Sequence, residues 1–168
     1  MNFLDSFARL IGNEGEFDDD STDRGNWTGG RIGVGTLKGT KYGISAAAFP
    51  DLDIKSVTLD QARAIYMRRY WGPAGCDLVP EALKFPLFDF AVNSGPGKAA
   101  RMLQRAVGAI EDGSIGPKTL MSIQSMPIDK VLRRFDAHRN LHFTDDPAWP
   151  TYGRGWIRRV ALNALEAS

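Results

Sequence analysis

Seven glycines fall within the 22 residues RGNWTGGRIGVGTLKGTKYGIS, residues 24–45. No stable helix carries that many, because each interior glycine costs about 1 kcal/mol relative to alanine. The same stretch holds β-branched and aromatic residues, and Gly29-Gly30 and Lys38-Gly39 read as turns. Short antiparallel strands are expected at about residues 31–34 and 40–44.

The rest of the chain reads as helix. Phe3, Leu4, Phe7, Leu10 and Ile11 recur at helical spacing, and Gly12 ends that first helix. Thr58 and Gln61 form a capping box, after which Ala62, Ile65, Tyr66, Arg69 and Tyr70 share a face. An apolar helix over residues 86–94 is broken by Gly95-Pro96-Gly97. Ala99, Leu103, Ala106 and Val107 line the next helix, and Asp112-Gly113 is a turn. Pro117 and Pro127 each start a further helix at its first position. Residues 145–150 read as a loop, and Trp156, Ile157, Val160, Ala161, Ala164 and Leu165 stripe a last helix. The expected fold class is α+β and mostly helical, with a small antiparallel hairpin near the N-terminus. A length of 168 residues fits one domain, 1–168, with a real core.

Acidity is concentrated just before the glycine-rich stretch. Asp5, Glu14, Glu16, Asp18, Asp19, Asp20 and Asp23 are seven acids in the first 30 residues, against two bases, Arg9 and Arg24. Three chemistries compete for this cluster. A calcium loop starting at Asp18 would place Asp20 and Thr22 at its third and fifth positions. Its sixth position is then Asp23 instead of glycine, and its twelfth is Gly29 instead of glutamate, so the match fails where the mechanism is most demanding. A solvated acidic loop explains Asp18, Asp19 and Asp20. Glu14 differs, because it directly follows an apolar stripe, and desolvation raises a carboxyl pKa. A carboxyl still protonated near neutral pH can deliver a proton to a leaving oxygen. Glycoside hydrolysis uses such an acid with a second oxygen group across the scissile bond. Asp23 lies nine residues after Glu14 and suits the second role, and Thr28, fourteen after Glu14, suits holding a water.

Other classes are disfavoured. A net charge of +1 is far from that of a dedicated nucleic-acid binder. The lone cysteine, Cys76, allows no intrachain disulfide and reads as a small buried apolar residue. His138 and His142 lie four apart, a spacing that suits zinc, but no third ligand is suggested and a solvated helix face is the simpler reading. No metal or organic cofactor is expected. The start MNFLDSFARL has no secretory pattern, and no run is long and apolar enough to span a membrane. Synthesis in a reducing cytoplasm is expected, so action outside it needs a separate means of release.

NEGEF (13–17), Asp23-Arg24-Gly25 and TKYGIS (40–45) together resemble the signature of glycoside hydrolase family 108, lysozyme-like N-acetylmuramidases, many of them bacteriophage endolysins. The family pattern runs Glu-Gly-Gly-Tyr, Asp-x-Gly-Gly, Thr-x-x-Gly-Ile. Here Glu16 and Phe17 depart from Gly and Tyr, and NWTGGRIGVGTLKG is inserted before the last element. The family's threonine corresponds to Thr28 by distance or to Thr40 by local motif. YMRRYW (66–71), LFDFAVNSGPGKAARMLQRAVG (87–108) and DGSIGPKT (112–119) resemble its second segment. RFDAHRNLHF (134–143) and GRGWIRRV (153–160) resemble its C-terminal, peptidoglycan-binding part.

The resemblance implies a lysozyme-like fold with catalytic motifs in residues 1–95 and peptidoglycan-binding motifs in 96–168. It implies cleavage of the β-1,4 bond between N-acetylmuramic acid and N-acetylglucosamine, with Glu14 as proton donor and no cofactor. Trp27 and Tyr42 are expected to offer aromatic faces to sugar rings, with Asn93 as a polar contact. A phage endolysin would be a monomer, would pass the membrane with a holin's help, and would act in the periplasm on the wall during host lysis. The alternative is a non-catalytic wall-binding or secretion-assisting module on the same fold.

Overall fold

The computed structural model describes residues 1–12 and 16–165. The chain divides into two compact units, residues 3–67 and residues 1–2 with 68–168.

The first unit opens with α1 (Phe3–Ile11), and Gly12 ends it in the left-handed region at φ +54°. Phe3 and Phe7 are buried, but Leu4 of the expected inner stripe is 56% exposed. A nine-residue helix needs only one narrow seam, and Phe7 supplies it by packing edge-on against Tyr66 at 5.2 Å. The unit's sheet is one two-stranded hairpin, β1 (Thr40–Lys41) with β2 (Ile44–Ser45), in which Lys41 pairs with Ile44. Its two-residue turn, Tyr42-Gly43, has φ +51° and +71°, the positive pair that matches a hairpin's twist.

The strand expected at residues 31–34 does not form. Those residues are exposed turns at the tip of a longer loop, whose legs meet at a single bridge between Trp27 and Leu37. Five glycines in residues 29–39 bend the backbone too often for β-propensity to extend a ladder.

Thr58 caps α2 (Leu59–Tyr66) with the full capping box to Gln61. The helix then widens into a π-helical turn, Met67–Trp71, and finishes in α3 (Gly72–Ala74). The wider turn rotates the face: Trp71 is fully buried and Arg69 is exposed, where an unbroken α-helix would have turned Arg69 and Tyr70 inward.

The second unit is helical: α4 (Glu81–Ser94), α5 (Pro96–Val107), α6 (Pro117–Gln124), α7 (Ile128–Thr144) and α8 (Trp149–Leu165). α4 begins five residues before the expected start, with Pro86 inside it. Burial of Leu83, Phe85, Leu87, Phe88 and Phe90 outweighs the hydrogen bond that Pro86 lacks. Pro117 opens α6 as expected, whereas Pro127 stands one residue ahead of α7. α8 starts inside the expected loop, and its buried positions are Gly153, Val160 and Asn163, with Ala161, Ala164 and Leu165 exposed. The face is turned because Asn163 is drawn inward to Asp89, at 2.9 Å.

That contact belongs to a buried polar cluster. Arg139 of α7 is 1% exposed and donates to Asp89 Oδ2 of α4 at 2.5 Å, with Asp136 Oδ1 at 3.3 Å. Arg159 of α8 reaches Asp89 Oδ1 at 3.5 Å. The Arg139 guanidinium also lies over the rings of Phe90 and Phe135, at 5.3 and 5.7 Å. Asp89 thus has charged and neutral donors from two helices, which is what a buried carboxylate requires.

Among the described residues, no helix is long and apolar enough to cross a membrane.

Candidate active site on the acidic loop and its hairpins

Asn26 organises this region, although nothing in its spacing marks it. It is fully buried at the end of the 3-10 turn Arg24–Asn26. Its Nδ2 donates to Asp18 Oδ2 at 3.2 Å and to the Asp20 carbonyl at 3.0 Å. Its Oδ1 accepts the Thr40 hydroxyl at 2.7 Å, and its carbonyl accepts the N–H groups of Lys38 and Gly39. One amide therefore ties the acidic loop to β1. Main-chain pairing of Asp18 with Thr40, at 2.9 and 2.7 Å, reinforces the tie. The approach is close enough that a Cβ on Gly39 would lie 2.5 Å from the Asp18 carbonyl oxygen, so glycine is required there.

The acids on this frame do different work. Asp18 Oδ1 accepts the Asp20 N–H, and Asp20 Oδ1 accepts both the N–H and the hydroxyl of Thr22 at 2.8 Å. Those two donors hold the Asp20 carboxyl below the usual carboxylate range. Asp23 caps the 3-10 turn through Oδ1, which accepts the Gly25 N–H at 2.8 Å. Asp23 is exposed, and its Oδ2 takes no hydrogen bond among the described residues. The turn thus fixes the carboxylate in place and leaves one oxygen for chemistry.

The neighbours follow from the same loop. Trp27 is half-buried, and its indole N–H donates to the Ser21 carbonyl at 2.9 Å, which pins the ring beside the acidic loop. Thr28 Oγ1 accepts the Thr36 N–H at 2.9 Å, and the two main chains pair at 3.0 Å. Thr40, by contrast, spends its hydroxyl proton on Asn26 inside the hairpin. Tyr42 is half-buried at the turn, where its carbonyl accepts the Tyr66 hydroxyl at 3.1 Å and Lys41 Nζ lies 5.4 Å from its ring centre.

Asp23, Trp27, Thr28 and Tyr42 therefore share the first unit. Asn93 belongs to the other, exposed in the last turn of α4, where its Oδ1 accepts the Ser94 hydroxyl at 2.9 Å. Glu14 lies outside the described residues. Sequence reasoning missed Asn26 and the Asp89–Arg139–Asn163 cluster. Asn26 had no periodic signal to find. Asp89 did: it stands alone within the apolar run LFDFAV (87–92), and a charge there demands a buried partner.

Cys76 is fully buried in the second unit, and that burial pushes its thiol up to about 12. It is no nucleophile at neutral pH. Desolvation lowers the pKa of both His138 and His142, and His142 packs against the Phe90 ring at 5.7 Å. Among the described residues, no group of three or more His, Cys, Asp or Glu side chains could hold a metal ion.

A mostly helical chain, with an acidic loop tied to a small two-residue hairpin, has the build of a lysozyme-like glycoside hydrolase. Residues 7–95 match the family glycosyl hydrolase 108, and the chain belongs to it. The matched segment spans Glu14, Asp23, Trp27, Thr28, Tyr42 and Asn93. The structure is similar to that of SagA from Brucella abortus, with a TM-score of 0.81 and 29% sequence identity over 98% of this chain and 92% of that one. No curated protein matches the sequence.

Proposed function

We propose that the chain is a peptidoglycan hydrolase that cuts the β-1,4 bond between N-acetylmuramic acid and N-acetylglucosamine. The observation that supports this most is the Asp23 carboxylate: exposed, fixed by the Gly25 N–H, with one oxygen open, inside the segment that matches a glycoside hydrolase family. Glu14 is the proton donor to the glycosidic oxygen. As the bond breaks, positive charge grows on the sugar ring, and Asp23 stabilises it or activates the attacking water. Thr28 helps to position that water: its oxygen is held by the Thr36 N–H while its hydroxyl proton remains to be donated. Trp27 and Tyr42 present rings to sugar faces, and Asn93 adds a polar contact. Proton transfer between carboxyl groups and sugar oxygens calls for no cofactor.

In this reading, residues 1–168 act as one functional domain, and the helical part 96–168 contributes to wall binding. The protein works as a monomer of the phage endolysin type, reaching the periplasmic wall through a holin. Glu14→Gln is expected to lower clearing of purified peptidoglycan by about 10²- to 10⁴-fold, the usual worth of a general acid, with an unchanged melting temperature. A Glu14→Gln protein that clears the wall at the normal rate contradicts the assignment. Asp23→Asn is expected to lose less, and a full-rate variant would remove Asp23 from the mechanism. Binding to the wall without clearing by the natural protein would favour the non-catalytic module instead.

A further inference from the structure

An open cleft of about 400 Å³ lies on the first unit, lined by Phe17, Asp19, Leu37, Lys38, Asp53 and Lys55. Its volume is that of a small-molecule site. It draws on the same segments as the candidate site: Phe17 and Asp19 lie between Glu14 and Asp23, and Leu37 is bridged to Trp27.

Its charges are mixed. Two carboxylates and two ammonium groups face one cleft, yet none of the four forms an ion pair among the described residues. Of those on the far wall, Asp53 has no evident structural task and Lys55 only a cation–π contact. Asp53 precedes the 3-10 turn Ile54–Ser56 without a side-chain cap bond. Lys55 Nζ lies 5.6 Å from the Phe17 ring centre, while the lysine's main-chain carbonyl, not its side chain, accepts Lys41 Nζ. Lys38 is held in position by the Pro50 carbonyl at 2.7 Å, with two ammonium protons left over. N-acetylglucosamine, and N-acetylmuramic acid whose lactyl carboxyl is amide-bound to a stem, are uncharged and have no use for four separated charges beside an aromatic ring. An amino-acid residue with a free ammonium and a free carboxylate has: each end meets its opposite charge, and its methylene stem lies along Phe17 and Leu37.

We propose that this cleft binds the zwitterionic end of a peptidoglycan stem peptide, so that the enzyme selects glycan strands that still carry their stems. The inference rests on the peptidoglycan reading above and adds a second recognition element to it.

The test uses the full-length protein and the double variant Asp53→Asn/Lys55→Met, both changes lying on exposed side chains. Two measurements are made. One is release of reducing ends from stem-bearing glycan and from the same glycan stripped of stems by an amidase. The other is binding of a free stem tripeptide that ends in a diamino acid. The natural protein is expected to bind the peptide and to prefer stem-bearing glycan. The double variant is expected to lose peptide binding and about tenfold in kcat/KM on stem-bearing glycan, through KM, as two solvent-exposed ion pairs would give. Its rate on stripped glycan is expected to match that of the natural protein. Unchanged peptide binding in the variant, or an equal fall on both glycans, overturns the proposal and leaves the hydrolase reading standing. A natural protein that binds the peptide but cuts neither glycan contradicts the hydrolase reading and leaves the cleft assignment standing.

Discussion

At the scale of single residues, the candidate site depends on a side chain that performs no chemistry. Asn26 is an amide with every partner filled, so truncating it strands the Thr40 hydroxyl and an Asp18 oxygen. Asn26→Ala is expected to lower stability by about 1–3 kcal/mol, for the loss of three partly buried hydrogen bonds to a buried amide, read as a drop in the urea midpoint. A wild-type midpoint would show that the network contributes little. Cys76 gives a second check. With its thiol pushed up to about 12, very little thiolate exists at pH 8, so a thiol reagent is expected to react promptly only after unfolding. Fast labelling of the folded protein would contradict the burial. The sequence revealed these two residues unequally. A lone cysteine among apolar neighbours reads as core, whereas Asn26 looks like any loop asparagine until its carbonyl, amide and hydroxyl partners are seen together.

At the scale of elements, periodicity found most helices and misplaced some of their faces. The capping box at Thr58 and the glycine stop at Gly12 appeared where expected, because both are local chemistry. The turned faces of α8 and of the π-helical turn were not legible, because each follows from a tertiary contact or from one extra residue per turn. α7 carries the clearest energetic claim. Arg139→Met leaves Asp89 buried without its main counter-charge, an expected loss of about 3–5 kcal/mol. Replacing Asp89, Arg139 and Asn163 together by apolar residues of similar volume is expected to restore most of that loss; a triple variant no more stable than Arg139→Met contradicts this view. The same helix sets a pH dependence. Burial lowers the pKa of His138 and His142, so the unfolded chain binds more protons below pH 6.5. Stability is therefore expected to fall as pH drops from 6.5 through the lowered folded values, and His138→Gln/His142→Phe is expected to flatten that slope. An unchanged slope in the variant would place the titration elsewhere.

At the scale of the whole molecule, the acids gather in the first unit and the remaining 138 residues hold 19 bases against 13 acids. The small sheet was legible from glycine placement, since seven glycines in residues 24–45 leave a hairpin as the economical solution, and the mostly helical class from apolar periodicity in the rest of the chain. Family membership was legible in ordered short motifs, none decisive by itself. The division into residues 3–67 and residues 1–2 with 68–168 was not, because no linker, composition shift or charge run marks Met67. The boundary falls inside a helical run, at the start of the π-helical turn Met67–Trp71, whose wider winding leaves no mark in the sequence.

The central claim is that Glu14 hands a proton to the oxygen joining N-acetylmuramic acid to N-acetylglucosamine. Mass spectrometry of peptidoglycan digests tests it most directly. New reducing ends of N-acetylmuramic acid from the natural protein, and none above background from Glu14→Gln, are the expected result. Reducing N-acetylglucosamine ends, or an undiminished yield from the variant, would contradict it.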